Sequence, residues 1–177
     1  MFQYETNRLL LQTKTESDFL SILQFYEENK SHLEPFEETR PTDFYTPYYQ
    51  LKMLSMESQL TKSHTYLRLW LSLKEDPNTI IGTVCFSDIF RHCAYLGYKI
   101  DYRYTGNGYC YEACVKGMEI MKNEYHVNCI KASILPDNLA SFHVLKKLGF
   151  TFQRMQLHPT SINHHFYYLH DYQKLLG

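Results

Sequence analysis

Apolar side chains recur along the chain with two different periods, and these periods predict its helices and strands. After residue 108, small or apolar residues follow at i, i+4, i+7 and i+11, namely Cys110, Cys114, Gly117 and Met121. This spacing predicts an amphipathic helix, with Glu112 on its polar side. From 128 to 135, apolar and polar residues alternate instead, which predicts a strand that ends before Pro136.

The same criteria predict every other element of the chain. In order, they are a strand at 8–13, a helix at 16–29, a proline-containing loop at 31–47, a helix at 48–61, strands at 65–74, 79–87 and 94–102, a helix at 109–124, a strand at 128–135, a helix at 139–148, and strands at 150–157 and 162–172. We therefore expect a mixed α/β (α+β) fold, in which about four helices flank a mostly antiparallel sheet of about seven strands. No repeat or linker divides the pattern, so residues 1–177 are expected to form a single domain.

Composition narrows the classes of function. A formal net charge of −1 argues against binding to nucleic acid or to an anionic membrane. The five cysteines form no C-x-x-C pair, so we expect reduced thiols in the cytoplasm. The N-terminal residues do not resemble a signal peptide, and no apolar run is long enough to span a bilayer.

Histidines and cysteines offer no convincing metal site. His164 and His165 are neighbours in a predicted strand, where adjacent side chains point to opposite faces, so they cannot bind one ion together. Cys110 and Cys114 share a helix face without a further ligand, which favours a place in the core. We expect no metal.

A glycine-containing turn at residues 103–108 is the most informative segment. Gly106 and Gly108 permit positive φ and close approach of a ligand, and the first N–H groups of the helix that follows lack intrahelical acceptors. A pyrophosphate could accept these hydrogen bonds; alternatively, the glycines only connect strand to helix. The dinucleotide fingerprint does not fit, because it requires glycine at the position of Tyr111.

Two motifs at a characteristic spacing resemble one family. Arg103-x-x-Gly106-x-Gly108 resembles the R/Q-x-x-G-x-G/A signature of the Gcn5-related N-acetyltransferase (GNAT) superfamily. Residues 105–113, and the later segment Asn138-Leu139-Ala140-Ser141 with residues 144–150, are similar to the branch that contains the ribosomal-protein alanine N-acetyltransferases. Asn7-Arg8-Leu9 and residues 32–36 resemble the same branch more loosely. The likeness covers nearly the whole chain and is weakest between 39 and 63.

The resemblance implies a GNAT fold, acetyl-CoA as co-substrate and direct attack by an amine in a ternary complex. The residues it implies for binding acetyl-CoA are Tyr98, Lys99, Ile100, Arg103, Tyr104, Thr105, Gly106, Asn107, Gly108, Tyr109, Asn138 and Ser141. Many relatives carry a tyrosine that acts as general acid at the position of Leu145. In the ribosomal-protein branch the serine at Ser141 is the alternative acid, unless it only supports the helix cap.

An acidic, aromatic segment precedes the second long helix. Glu37 is a candidate for proton removal, and the candidates for acceptor binding are Glu34, Phe36, Glu38 and Tyr45. The alternative is that these charges are simply solvated and the rings belong to the core.

The chemistry of the amine favours one class of acceptor. At pH 7, deprotonating an α-amine requires about 1.4 kcal/mol, whereas a lysine side chain requires about 4.6 kcal/mol. We therefore expect a protein or peptide N-terminal amine as acceptor. A small-molecule amine, such as a polyamine, an amino acid or an antibiotic, and a non-catalytic CoA-binding module are the alternatives. The sequence does not reveal the oligomeric state, although a homodimer is the commonest arrangement for small enzymes.

Overall fold

A computed structural model describes residues 2–162 and 165–177, so His164 lies outside the described residues. The strands are β1 (Gln3–Glu5), β2 (Leu9–Gln12), β3 (Leu67–Leu73), β4 (Gly82–Phe90), β5 (Cys93–Ile100), β6 (Cys129–Ile134), β7 (Thr151–Met155), β8 (Thr160–Ile162), β9 (His165–Tyr167) and β10 (His170–Leu175). The helices are α1 (Phe19–Glu28), α2 (Lys30–Leu33), α3 (Pro47–Lys62), α4 (Tyr109–Glu124) and α5 (Leu139–Lys147). Short 3-10 turns occupy Glu16–Asp18, Glu34–Phe36 and Tyr102–Tyr104.

Eight of the strands form one sheet in the order β1-β2-β3-β4-β5-β6-β10-β7, and β8 and β9 form a separate hairpin. Every neighbouring pair in the large sheet is antiparallel except β5 and β6, which are parallel. The predicted fold class is confirmed, with eight strands in place of about seven. The additional helix, α2, is a single turn inside the segment predicted as a loop.

The prediction of one strand at 162–172 is wrong. Ile162 ends β8, and a new strand, β10, begins at His170. Apolar and polar side chains alternate in the same way in a hairpin and in a continuous strand, so the periodicity did not reveal the reversal. The pattern also missed β1, which has only three residues.

The two faces of the sheet carry separate hydrophobic clusters. Leu67, Leu69 and Leu71 of β3 are at most 1% exposed and belong to the cluster that contains residues of α4 and α5. Trp70 points the other way, as strand alternation requires, and packs with residues of α1 and α3. The helices α1 and α3 thus cover one face of the sheet, and α4 and α5 cover the other.

Close packing fixes how near α4 lies to the sheet. A Cβ atom at Gly117 would lie 2.7 Å from the ring of Phe86, so only glycine allows α4 to approach β4 this closely. The first turn of α4 lies next to the end of β5, where β5 and β6 separate. These two strands pair only from Cys93 to Tyr95 on β5, and beyond that point they diverge.

Candidate active site

A cleft of about 610 Å³ opens where β5 and β6 diverge. The walls of the cleft are formed by residues 96–100 of β5, residues 132–135, the turn that leads into α4, one face of α5 and part of the segment at 32–38. The hairpin side of the cleft is closed by Thr160, Ile162 and Leu169. Because β5 lacks a β6 partner after Tyr95, its peptide groups on that edge face the cleft.

The glycine turn presents main-chain groups to this cleft. Gly106 and Gly108 both have φ of 78°, the left-handed conformation that glycine adopts without strain. Gly108 is the N-cap of α4 and provides no side-chain cap, so the first amides of the helix remain open to a ligand. Of the turn residues predicted to bind acetyl-CoA, five line the cleft, namely Tyr104, Thr105, Gly106, Gly108 and Tyr109.

Contacts with residues far away in the sequence stabilise the glycine turn. The Glu112 carboxylate accepts hydrogen bonds from Thr6 Oγ1 at 2.6 Å and from the Arg8 backbone N–H at 3.0 Å, and it pairs with Arg8 Nη2 at 2.7 Å. Arg8 Nη1 donates to the carbonyl of Asn107 at 3.0 Å. Burial tends to raise the pKa of Glu112, but these hydrogen bonds and the charge of Arg8 outweigh it and hold the pKa below its usual value. Glu112 is therefore a structural anchor, half-buried rather than on the solvated side of the helix.

Arg103 and Asn107 do not line the cleft, although both were predicted to bind acetyl-CoA. Arg103 Nη2 pairs with Glu28 at 2.6 Å and with the fully buried Asp101 at 2.5 Å. The Asn107 amide donates to the carbonyls of Tyr104 and Thr105. Internal partners engage both side chains, which shape the turn, so their contact with acetyl-CoA stays a prediction.

Asp101 is the centre of this internal network. Its carboxylate also accepts a hydrogen bond from Asn29 Nδ2 at 3.0 Å, and Asn29 Oδ1 accepts one from the Tyr102 backbone N–H. Burial tends to raise the pKa of Asp101, but hydrogen bonds from Arg103 and Asn29 outweigh it and lower the pKa. The network ties α1 to the turn at the end of β5.

The start of α5 faces the end of β5 across the cleft. Asn138 caps the helix by accepting a hydrogen bond from the Ser141 backbone N–H at 3.0 Å, and both residues line the cleft. The Tyr98 hydroxyl donates to the Ser141 carbonyl at 3.1 Å, and burial together with the nearby thiols of Cys110 and Cys114 raises the pKa of Tyr98. Leu145 is fully buried, and its side chain has no group that could donate a proton.

Charged side chains meet at the other end of the cleft. Glu37 Oε1 lies 2.8 Å from Lys99 Nζ, and Glu37 Oε2 lies 2.8 Å from Arg40 Nη2. Burial tends to raise the pKa of Glu37, but the charges and hydrogen bonds of Lys99 and Arg40 lower it overall. Glu37 is consequently ionised at neutral pH and is a weak base.

The predicted acceptor-binding residues divide into two groups. Phe36 and Glu38 are exposed and line the cleft. Glu34 and Tyr45 lie outside its walls, because the Tyr45 hydroxyl donates to Glu34 Oε1 at 2.8 Å and accepts a hydrogen bond from Arg40. For those two residues the structure does not bring the predicted side chains to the cleft.

Several residues that line the cleft were not predicted. They include Cys110, Tyr111, Ser133, His143, Val144 and Lys147. Lys147 Nζ lies 4.4 Å above the ring of Tyr111, so a positive charge stands near the first turn of α4. Counting helical spacing from Ala140, which also lines the cleft, would have found Val144 at i+4 and Lys147 at i+7 on the same face.

Two features are absent from the part of the chain that the structure describes. In residues 2–162 and 165–177, no group of three or more His, Cys, Asp and Glu side chains could hold a metal ion. Within the same ranges, every helix is too short or too polar to cross a membrane.

A fold with this strand order, split sheet and glycine turn defines an acyl-CoA N-acyltransferase. The family model for the acetyltransferase (GNAT) domain matches residues 8–151, so the chain belongs to the GNAT family. It is an acetyl-CoA-dependent N-acetyltransferase, as the motifs predicted.

Individual relatives are similar over most of the chain. The ribosomal protein uS5-alanine N-acetyltransferase of Escherichia coli K12 is 30% identical over 148 residues, which is 82% of this chain and 76% of the relative. The probable N-acetyltransferase YjcK of Bacillus subtilis is 32% identical over 127 residues, 70% of this chain and 69% of that protein. The crystal structure of the ribosomal-protein-S5-alanine acetyltransferase from Vibrio fischeri has a TM-score of 0.92 at 26% identity, covering 99% of this chain and 97% of that one.

A further structure supports the fold alone. RimL, a ribosomal L7/L12 α-N-protein acetyltransferase solved in complex with coenzyme A, has a TM-score of 0.87 at 18% identity. It covers 97% of this chain and 96% of its own.

Proposed function

We propose that this enzyme transfers an acetyl group from acetyl-CoA to the N-terminal amine of a protein or peptide. The observation that carries the proposal is the gap between β5 and β6, which ends at the uncapped first turn of α4. The relatives named for ribosomal proteins support a protein acceptor, and the modest cost of deprotonating an α-amine supports an N-terminal one.

Acetyl-CoA would lie along the open edge of β5. The pyrophosphate would accept hydrogen bonds from the amides that begin α4, aided by the helix dipole and by the charge of Lys147. The pantetheine arm would pair with peptide groups of residues 98–100, as a missing strand would. The thioester would then lie between β5 and the start of α5, next to Ser141.

The reaction would proceed by direct attack of the neutral amine on the thioester carbon. The C–S bond breaks as the C–N bond forms, the amine loses one proton to solvent, and the thiolate gains one. We propose Ser141 as the donor of this second proton, because its side chain lies in the cleft and Leu145 offers none. A thiolate with pKa near 8.5 requires only a modest acid.

Glu37 would position other side chains for acceptor binding and would not act as a base. Its lowered pKa makes proton removal unfavourable, whereas its ion pairs hold Lys99 and Arg40 in place beside the cleft. Phe36 and Glu38 would contact the acceptor directly at the rim.

A panel of acceptors tests the proposal. CoA release is measured with short peptides that have free or blocked N-termini, with peptides containing lysine, and with polyamines, amino acids and aminoglycosides. We expect kcat/KM to be highest for peptides with free N-termini. If a small amine exceeds every peptide by an order of magnitude, the acceptor class is a small molecule and the proposal is wrong.

Three further properties belong to the same proposal. We infer that residues 1–177 act as one catalytic domain. The five free thiols suit a reducing compartment such as the cytoplasm. A homodimer remains an expectation, which sedimentation of the purified chain would test.

A further inference from the structure

A second, smaller cavity lies on the sheet beside the cleft. It has a volume of about 110 Å³ and is lined by residues of α1, α3 and β3, by Phe44 and by Lys99. Arg68 and Trp70 contribute to its wall from β3, and Lys99 lines both this cavity and the cleft. The reaction described above uses only Lys99 among these residues.

Two of these wall residues each carry a buried N–H group that has no acceptor among the described residues, Arg68 Nε and Trp70 Nε1. An unpaired buried donor typically costs about 1–3 kcal/mol, so a site that keeps two of them needs a partner. Arg68 Nη1 is already engaged, at 3.2 Å from the Tyr26 hydroxyl and 3.1 Å from Glu57 Oε1. Nε belongs to a different edge of the guanidinium, one that can receive a carboxylate through two parallel hydrogen bonds.

Strand register connects the cavity to the cleft. Two rows of paired residues cross the same face of β3, β4 and β5, namely Trp70, Thr83 and Lys99 in one row and Arg68, Cys85 and Gly97 in the next. The members on β3 line the cavity, and those on β4 and β5 line the cleft. The residues on β3 and those on β5 are two strand spacings apart, about 10 Å, and two or three residues of extended peptide span that distance.

The size of the cavity argues against a single bridging water as its only occupant. One water requires roughly 15 Å³ of such space, whereas this cavity offers about 110 Å³. The wall residues include the aromatic Tyr26, Phe44 and Tyr49 and the donors' residues Arg68 and Trp70. The one carboxylate among them, that of Glu57, is already paired with Arg68 Nη1. Such a lining suits the methylene groups and terminal oxygens of an acidic side chain.

We propose that this cavity is a specificity subsite, which binds the carboxylate of an Asp or Glu at the second or third residue of the acceptor peptide. The amine of the same peptide would lie in the cleft beyond Lys99. The inference rests on the proposed function, because it is the peptide acceptor that joins the two sites.

Trp70 is the only tryptophan of the chain, so its fluorescence reports directly on this cavity. The purified enzyme is titrated with N-acetylated tetrapeptides, which cannot react, carrying Glu, Gln or Leu at the second or the third position. We expect a saturable fluorescence change with a dissociation constant about tenfold lower for Glu than for Gln at one position. Equal curves for all three peptides would overturn the subsite and leave water as the occupant.

Acetylation of the corresponding free peptides provides the second readout. The ratio of kcat/KM for Glu over Gln does not depend on how much of a variant is folded. It should be about ten in the unmodified enzyme and fall towards one in Trp70→Phe, which removes the N–H, and in Arg68→Lys, which removes the two-donor edge. Phe25→Leu is the matched control, because Phe25 packs against Trp70 with ring centroids 5.8 Å apart and carries no hydrogen-bond donor. In Phe25→Leu the ratio of kcat/KM for Glu over Gln should stay about ten.

The two readouts separate the two proposals. If peptides are acetylated without any preference and the fluorescence curves coincide, the subsite is wrong and the proposed function stands. If acidic peptides change the fluorescence but no peptide is acetylated, the proposed function is wrong and the subsite stands.

Discussion

The two ends of the cleft are formed by different kinds of groups, main-chain groups at one end and charged side chains at the other. At the donor end, main-chain groups of β5, the glycine turn and the first turn of α4 face the space where acetyl-CoA would bind. At the acceptor end, the side chains of Glu37, Arg40 and Lys99 form ion pairs between a loop and β5. Main-chain geometry depends on a few local residues and leaves a recognisable motif. Side-chain pairs between distant segments leave no recognisable motif in the sequence. Such pairs can differ between enzymes that act on different acceptors.

The largest effect is expected at Ser141, where the two ends meet. Ser141→Ala should lower kcat by about a hundredfold with little change in the KM for acetyl-CoA, because it removes the proposed proton donor and keeps the helix cap made by Asn138. Steady-state rates and CoA titration measure the two parameters. Ser141→Thr, which keeps a hydroxyl, should recover part of the rate. Equal kcat for Ser141→Ala and the unmodified enzyme would assign the proton to solvent.

Glycine substitutions at the donor end should weaken acetyl-CoA binding by several tens of times. Gly106→Val introduces a side chain at φ of 78°, in a position that lines the cleft, so backbone strain displaces the amides that would bind pyrophosphate. Gly149→Val is the matched control, since Gly149 has φ of 81° but ends α5 away from the cleft. Calorimetric titration with CoA should show a loss only for Gly106→Val. A comparable loss in both variants would mean that general instability is the cause.

At the acceptor end, Glu37→Gln should lower kcat/KM for the peptide about tenfold by releasing Lys99 and Arg40. The pKa of Glu37 is lowered, so the residue stays ionised from pH 6 to 9 and contributes no limb to the rate profile there. The rate should therefore rise with pH as the α-amine deprotonates near pH 8, in both the unmodified enzyme and the variant. A pH profile whose rising limb disappears in Glu37→Gln would make Glu37 the base after all.

The smallest effect on catalysis, but a clear one on stability, is expected at Asp101. Asp101→Asn should reduce the free energy of unfolding by about 2 kcal/mol at pH 7, because Arg103 loses its buried partner. The pKa of Asp101 is lowered in the folded state, so its contribution is complete above the usual carboxyl pKa and is lost as pH falls below about 4. Urea unfolding at pH 7, 5 and 3.5 should show the difference between the two proteins shrinking only at the lowest pH. A constant difference would exclude the ionised carboxylate as the cause.

Local patterns were sufficient for the long elements and for the donor end. The small, apolar face of α4 packs against the sheet because glycine at 117 fits over Phe86, and its spacing is visible in the sequence. Asn138 caps α5 through the Ser141 backbone N–H, as its position just before the predicted helix indicated. These features depend on residues a few positions apart, whose geometry the backbone fixes.

Arg103 illustrates what a motif does not reveal. Its position in the signature suggested contact with phosphate, yet Asp101 and Glu28 engage the guanidinium. One of these partners, Glu28, lies on α1, far from Arg103 in sequence, so no local pattern predicts the pair.

The sequence by itself determined the family, the order of the principal helices and strands, and the turn that opens α4, because glycine conformations and helix caps follow from neighbouring residues. Only the tertiary structure decided which charged residues line the cleft, which ones stabilise the turn, and that Arg68 and Trp70 share a cavity next to the cleft. The pairing of β3 with β4 and of β4 with β5 sets those distances, and strand register is a property of the assembled sheet.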